Sequence, residues 1–289
     1  MTTPLIQTLA IVGPGLIGGS FSLALQAAKA VTRVIGYDRN PQNAAEALRL
    51  GVITEQAASY EQLADADVVF VAIPVCSIVD EVVALARHLK PGAIITDGGS
   101  VKEALIAPCE SAMPDGVHFV GGHPISGTEH SGAAAAFATL FAGRRCILTP
   151  SRVSDPAAVA LVKRLWELAG SEVLLMDPKV HDTVFAAVSH LPHMVAYTLV
   201  HAVDRSAEEE KNILDFSAGG FRDFTRVASS DPAMWRDIAL MNRDALLAQL
   251  DRYAEEFNQL RERIASGDAQ WVEQFFATSK RLRDGITAR

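Results

Sequence analysis

The stretch IVGPGLIGGS, residues 11–20, decides the fold. It follows the apolar run TLAIVG (8–13) and opens an amphipathic run, LIGGSFSLALQAAKA (16–30). The pattern Gly13-x-Gly15-x-x-Gly18 is weak alone, but a strand before it and a helix after it give each glycine a task. Gly13 makes the tight turn, Gly15 lets the backbone approach a pyrophosphate, and Gly18 lets the helix pack on the strand. The helix start at Leu16 and Ile17 offers free N–H groups and partial positive charge to phosphates. Asp38 ends the next strand, VTRVIGYD (31–38), at the spacing expected of a ribose ligand. A carboxylate there accepts hydrogen bonds from ribose hydroxyls and repels a 2′-phosphate, so the expected cofactor is NAD. Arg39 leaves NADP open as a secondary cofactor, since a neighbouring guanidinium accommodates that phosphate.

The same grammar continues on both sides of Asp38. Short apolar runs at ADVVFVAIP (66–74), AIITDGGS (93–100), HFVGGHP (118–124), RCILTP (145–150) and EVLLMD (172–177) read as strands. NPQNAAEALRLGV (40–52) and SIVDEVVALARHLK (77–90) read as helices between them. That alternation predicts a parallel sheet covered on both faces. After Pro178 the strand-like runs stop. HDTVFAAVSHLPHMVAYTLVHAVD (181–204) predicts a helix buried in a bundle or a dimer, with Pro192 kinking or restarting it. A long helix is expected from Asp231 to Ile264, with Ser230 or Asp231 as cap and Pro232 at its first position. GDAQWVEQFFATSKRL (267–282) predicts a last helix. The fold class is therefore α/β: a Rossmann-type dinucleotide-binding domain over 1–178, then an all-α domain over 179–289 for substrate binding and dimerisation. Apolar helices over 181–285 would expose large hydrophobic surface on a monomer, so a homodimer is expected.

Bulk properties remove other classes. The net charge is −8 and no Lys/Arg-rich run occurs, which speaks against nucleic acid as a partner. Cys76, Cys109 and Cys146 are scattered, without CxxC or zinc spacing, so no metal site is expected and the thiols suit a reducing cytoplasm. The apolar runs reach about ten residues where a membrane span needs about 20, and the N-terminus has no leader pattern, so no membrane partner is expected.

HPISGTEHSG (123–132) follows a strand directly, and Ser100 ends another. Carboxyl ends of strands face the ligand crevice in an open α/β sheet, so His123 and Ser100 reach the same edge as the cofactor loop. Histidine titrates near neutrality and can take a hydroxyl proton as hydride leaves the same carbon. Ser100 can orient that imidazole or bind substrate. SHLPHM (189–194) sets His190 and His193 three apart on one helix face. GGFRDFTRVASSDPAMW (219–235) sets Arg222 and Arg226 four apart around Asp223, with Trp235 following. An arginine fork matches a carboxylate. Each also has a plain reading: a turn histidine, core histidines, a solvated ion pair, a helix-packing tryptophan.

GPGLIGGS with Asp38, DGGSVK, GGHPISGTEHSG, SHLPH and FRDFTRVASSDPAMW occur here in one order. In these motifs the chain resembles the prephenate and arogenate dehydrogenases of tyrosine biosynthesis, over roughly residues 8–280. The resemblance implies an arrangement like 6-phosphogluconate dehydrogenase and NAD-dependent oxidative decarboxylation of prephenate to 4-hydroxyphenylpyruvate, with arogenate as a further substrate. It implies His123 as the acceptor of the ring-hydroxyl proton and Ser100 as its assistant near the nicotinamide. It assigns Arg226 to a substrate carboxylate, His193 to the side-chain end, and Thr128 and Glu129 to the pocket wall. Arg222 and Asp223 fall at an ion-pair position on the rim, and Trp235 in the substrate pocket. Rival readings are a β-hydroxyacid dehydrogenase, whose catalytic lysine is missing from SHLPHMVAYTLVHAV, an enzyme of 4-amino-4-deoxyprephenate, and a non-catalytic NAD-binding regulator.

Overall fold

Strand β1 (Ile6–Val12) is buried along nearly its whole length, as a strand covered on both faces must be. In this computed structural model, which describes residues 3–127, 130–207 and 213–287, it lies at the centre of a six-stranded parallel sheet. The other strands are β2 (Val31–Tyr37), β3 (Glu55–Gln56), β4 (Val68–Val71), β5 (Ile94–Asp97) and β6 (His118–Val120), in the order β3-β2-β1-β4-β5-β6. Alternate residues of each strand serve opposite faces. Leu9 and Ile11 join Phe21, Phe70 and Trp166 in one core, while Ala10 and Val12 join Val69, Val71, Ile78 and Leu85 in the other. Trp166 is fully buried with its ring centre 4.3 Å from Phe21, so truncating it to alanine would cost about 3–5 kcal/mol.

Helices α1 (Leu16–Ala27), α2 (Pro41–Arg49), α3 (Ile78–Ala86), α4 (Glu103–Ser111) and α5 (Pro156–Leu168) alternate with the strands. The run HFVGGHP is not one strand. It leaves the parallel sheet after Val120 and begins a second sheet, in which β7 (Gly122–Pro124) pairs antiparallel with β8 (Arg145–Leu148), and β8 pairs parallel with β9 (Glu172–Leu175). Packing at the crossing is close: a Cβ on Gly121 would meet Ile106 Cδ1 at 2.4 Å and Thr149 Oγ1 at 2.6 Å. The expectation of one wholly parallel sheet is corrected accordingly. The alanine-rich stretch after HPISGTEHSG forms a single 3-10 turn, Ala133–Ala135.

The helical part begins with α6 (Pro178–Phe185), capped by Asp177, and runs through a π turn at Ala186–His190 into α7 (Leu191–Ala207). Pro192 thus sits in the first turn of a restarted helix, where its missing N–H costs nothing. By length and hydropathy Pro178–Ser206 would pass for a membrane span. Its inner face nevertheless carries the buried polar residues His181, Asp182 and His190. Next come α8 (Gly219–Thr225) and α9 (Pro232–Met241), the latter capped by Asp231 Oδ1 accepting from Met234 N at 2.7 Å. The expected unbroken helix from Asp231 ends at Asn242, whose side chain turns inward to hydrogen-bond His190 and the Asp182 carbonyl. α10 (Arg243–Ser266) follows.

Two compact units result, residues 1–243 and residues 244–289. In the second, α10 turns at Gly267 into α11 (Ala269–Thr287), where Asp268 accepts from Trp271 N and pairs with Arg263. Tyr253, Phe257, Ile264, Phe276, Leu282 and Ile286 are exposed on these helices.

Candidate active site

The glycine loop fits a dinucleotide on two observations. First, α1 starts at Gly15 without a side-chain cap or an acidic residue in its first turn, leaving its amides to an anion. Second, the glycines are constrained differently. Gly13 has φ +83° and a Cβ there would lie 2.5 Å from Ala72 O, while a Cβ on Gly18 would lie 2.4 Å from Gly13 O. At Gly15 a Cβ would meet nothing closer than Gly132 at 4.0 Å. The first two need glycine for the fold, whereas Gly15 keeps space open above the backbone. Leu16 is buried and Ile17 half-buried in the first turn of α1. Asp38 follows β2, and its Oδ1 accepts from Asn40 N at 2.8 Å and Asn43 Nδ2 at 3.2 Å. Arg39 is largely exposed and 3.7 Å from the buried carboxylate of Glu81.

Ser100 is half-buried in the loop that follows β5, and His123 occupies the middle of β7. A fully buried ion pair joins the two segments. Lys102 Nζ bonds Asp97 Oδ2 and donates to Gly122 O at 2.8 Å; Asp97 accepts from Gly122 N at 3.1 Å and Gly99 N at 2.8 Å. Both main-chain groups of the residue before His123 are therefore clamped. A charge pair so deep needs such further hydrogen bonds to offset the loss of water around both charges.

The His123 side chain bonds not to Ser100 but to His181, with Nδ1 2.8 Å from His181 Nε2. His181 Nδ1 lies 2.7 Å from Asp182 Oδ1. Phe185 packs against both rings at 4.9 and 4.5 Å between centres. Burial first, then the neighbouring His181 and Lys102, hold the His123 imidazole well below its usual range. It is a neutral base at pH 7.

A second cluster comes from α7 and α9. His193 stacks on Trp235 at 3.5 Å between ring centres and donates Nδ1–H to Ser189 O at 2.8 Å. Burial lowers His193 from its usual value, the hydrogen bond to the Ser189 carbonyl opposes this, and the Arg226 cation lowers it further. Burial pushes His190 down to about 4. His190 Nε2 and Trp235 Nε1 are buried without a partner among the described residues. Arg226 is exposed at the head of the 3-10 turn Arg226–Ser229, and Arg222 and Asp223 are exposed on α8. Thr128 and Glu129 lie outside the described residues.

Residues 21–175 match the family model described as prephenate dehydrogenase, nucleotide-binding domain, and residues 177–279 match that described as prephenate dehydrogenase, dimerization domain. The chain belongs to the prephenate dehydrogenase family. It is 39% identical over 285 residues to a prephenate dehydrogenase of Bacillus subtilis, covering 98% of this chain and 77% of that one. It is 38% identical to a cyclohexadienyl dehydrogenase of Zymomonas mobilis, covering 95% and 94%. The crystal structure of the Aquifex aeolicus prephenate dehydrogenase, solved with hydroxyphenyl propionate and NAD+, superposes with a TM-score of 0.92 at 37% identity, covering 99% of both chains.

Within this member of the prephenate dehydrogenase family, sequence reasoning overlooked Asp97, Lys102, His181, Asp182, Phe185 and Asn242. One signal was present. His181 and Asp182 are adjacent polar residues in an otherwise apolar run, and His181, Phe185 and Ser189 recur at helical spacing on one face.

Proposed function

We propose that the chain oxidises prephenate to 4-hydroxyphenylpyruvate and CO2 with NAD, acting as a cytoplasmic homodimer, with arogenate as a slower second substrate. Bound at the glycine loop, NAD supplies the hydride acceptor. His123 Nε2 takes the proton of the ring hydroxyl as the C–H bond on the same carbon breaks. Loss of the ring carboxylate as CO2 returns its electron pair to the ring. His123 then gives the proton back to the phenolate oxygen, so no net proton is consumed. Ser100 aligns the hydroxyl beside His123. Arg226, with His193 and Trp235, receives a substrate carboxylate, and Arg222 and Asp223 line the rim. In this reading residues 1–178 bind cofactor and residues 179–289 supply the substrate contacts and the dimer surface.

The observation that carries the reading is His123: an imidazole held well below its usual range, on β7, whose preceding residue Gly122 is clamped to the end of β5 by Asp97 and Lys102. The test is NADH or NADPH formation in four mixtures, prephenate or arogenate with NAD or NADP. Turnover fastest with prephenate and NAD is expected. Turnover with arogenate alone would overturn the substrate, and silence in all four would overturn the activity.

A further inference from the structure

His181 and Asp182 belong to α6, yet their side chains end at the β7 histidine. The Asp182 carboxylate is anchored from outside its own helix. It accepts from Lys102 N at 2.8 Å and from Glu103 N at 2.9 Å. Helix α4 has no side-chain cap of its own, so Asp182 fills that role across the fold. Asn242 Nδ2 holds the Asp182 carbonyl at 2.9 Å. Backbone amides only donate, so both oxygens of Asp182 act as acceptors. Oδ1 also faces His181 Nδ1 at 2.7 Å, which places a proton on that nitrogen.

The rest follows by exclusion. His181 is wholly buried, and burial lowers its pKa against the opposing pull of Asp182, so the ring is neutral. A neutral imidazole with Nδ1–H has a bare Nε2. That bare Nε2 lies 2.8 Å from His123 Nδ1, so His123 Nδ1 must carry the donor hydrogen. His123 is left with its lone pair on Nε2.

We propose that His181 and Asp182 are positioning residues that set the tautomer of His123, presenting Nε2 as the acceptor for the substrate hydroxyl. The proposal rests on the reading of His123 as the base. When Nε2 takes the proton, the imidazolium charge is met through Nδ1–H by the His181 lone pair and, beyond it, by the Asp182 carboxylate. A base oriented by a third group is a general device of acid–base sites. The other groups around His123 leave its Nδ1 alone. Asp97, at the end of β5, and Lys102, just before α4, are engaged with each other and with Gly122. His190, from the π turn, bonds Asn242. Cys146, on β8, is a buried thiol whose pKa burial raises. Phe185 only fixes the planes of the two rings.

The experiment pairs two substitutions with one spectrum. His181→Leu removes the acceptor, whereas His181→Gln restores it: Asp182 draws the amide N–H₂ towards itself and leaves the amide oxygen facing His123. His181→Leu should lower kcat about 10²–10³-fold with the prephenate KM and the NAD Kd little changed, and His181→Gln should recover most of that loss. A merely structural role would make both variants equally poor or would move KM and Kd as well, and either result overturns the proposal, as does a His181→Leu enzyme that matches wild type. Nitrogen-15 NMR of histidine-labelled wild-type protein needs no variant to fold beyond His123→Asn and His181→Gln for assignment. It should show His123 and His181 both protonated at Nδ1 at pH 7; an Nε2–H form of either refutes the relay. Wild-type protein that binds NAD but does not turn over prephenate would sink the proposed function instead, and the tautomers would still be read directly.

Discussion

Replacing Lys102 with methionine removes one charge from a pair that has no access to water. Lys102 and Asp97 are both fully buried, and the ammonium also carries the Gly122 carbonyl. Lys102→Met keeps most of the side-chain volume but leaves the Asp97 carboxylate buried without its counter-charge. Breaking such a pair from one side costs about 3–5 kcal/mol, and the stranded Gly122 carbonyl keeps the figure in the upper part of that range. For a chain of this size each kcal/mol moves Tm by about 2–4 °C, so a fall of about 6–20 °C is expected in a thermal melt followed by circular dichroism. Asp97→Leu alone should be comparably harmful, since it orphans the ammonium together with the amides of Gly99 and Gly122. The double variant should be markedly less unstable than the two losses added together, because no lone charge remains. Turnover should fall in all three, as Gly122 is the residue on which His123 hangs. A Lys102→Met protein that melts within about 2 °C of wild type, or a double variant showing simple additivity, would refute the claim that the pair clamps β7.

Other outcomes follow from single contacts. Gly15→Ala should fold normally and weaken NAD at least about tenfold by calorimetry, whereas Gly18→Ala should lose stability as well, because its Cβ would strike the Gly13 carbonyl. Asp38→Ala should narrow the preference for NAD over NADP in kcat/KM by about tenfold or more, since the carboxylate that repels a 2′-phosphate is gone. His123→Asn should cut kcat about 10²–10⁴-fold while the NAD Kd stays within threefold. Acid should destabilise the fold through His190. Its folded pKa, about 4, lies below the usual histidine value of 6.5, so the unfolded chain binds the proton first. Stability is therefore complete above about pH 6.5 and declines as pH falls towards 4. His190 alone accounts for about 2 kcal/mol between pH 7 and pH 5, measurable as a drop in urea midpoint that His190→Asn lessens.

The cofactor half was legible because its constraints are local. A glycine that must turn, a second that must stay bare, a third that must pack, and an acid one strand later all fall within residues 13–38. His123 stood out because it ends the run HFVGGH, although it lies inside β7 of the second sheet and not just beyond a strand of the first. The second sheet was not. HFVGGHP reads as one apolar run, and the pairing of β7 with β8, more than 20 residues later in the chain, is invisible in it. The His181–Asp182 support was illegible in a deeper sense. Its meaning depends on Lys102 and Glu103, 80 and 79 residues from Asp182, and on His123, 58 residues from His181. Arg222 and Asp223, which look like a pair in sequence, both sit in the open on α8.

The π turn at Ala186–His190 gives the long helical run of residues 178–207 two phases. Every α-helical residue advances about 100° around the axis, and a π turn accommodates one residue beyond the regular count. Upstream of it, His181 and Phe185 meet β7; downstream, His193 meets Trp235. The two sets of side chains are matched to their targets by the count of residues between them, not by their identity. Evolution can exchange Ala187 or Val188 for many neighbours at modest cost. It cannot shorten the turn by one residue without rotating an entire half-helix of contacts away from what they touch. The segment is thus tolerant in composition and rigid in length, and alignments of relatives should show substitutions there but no gaps.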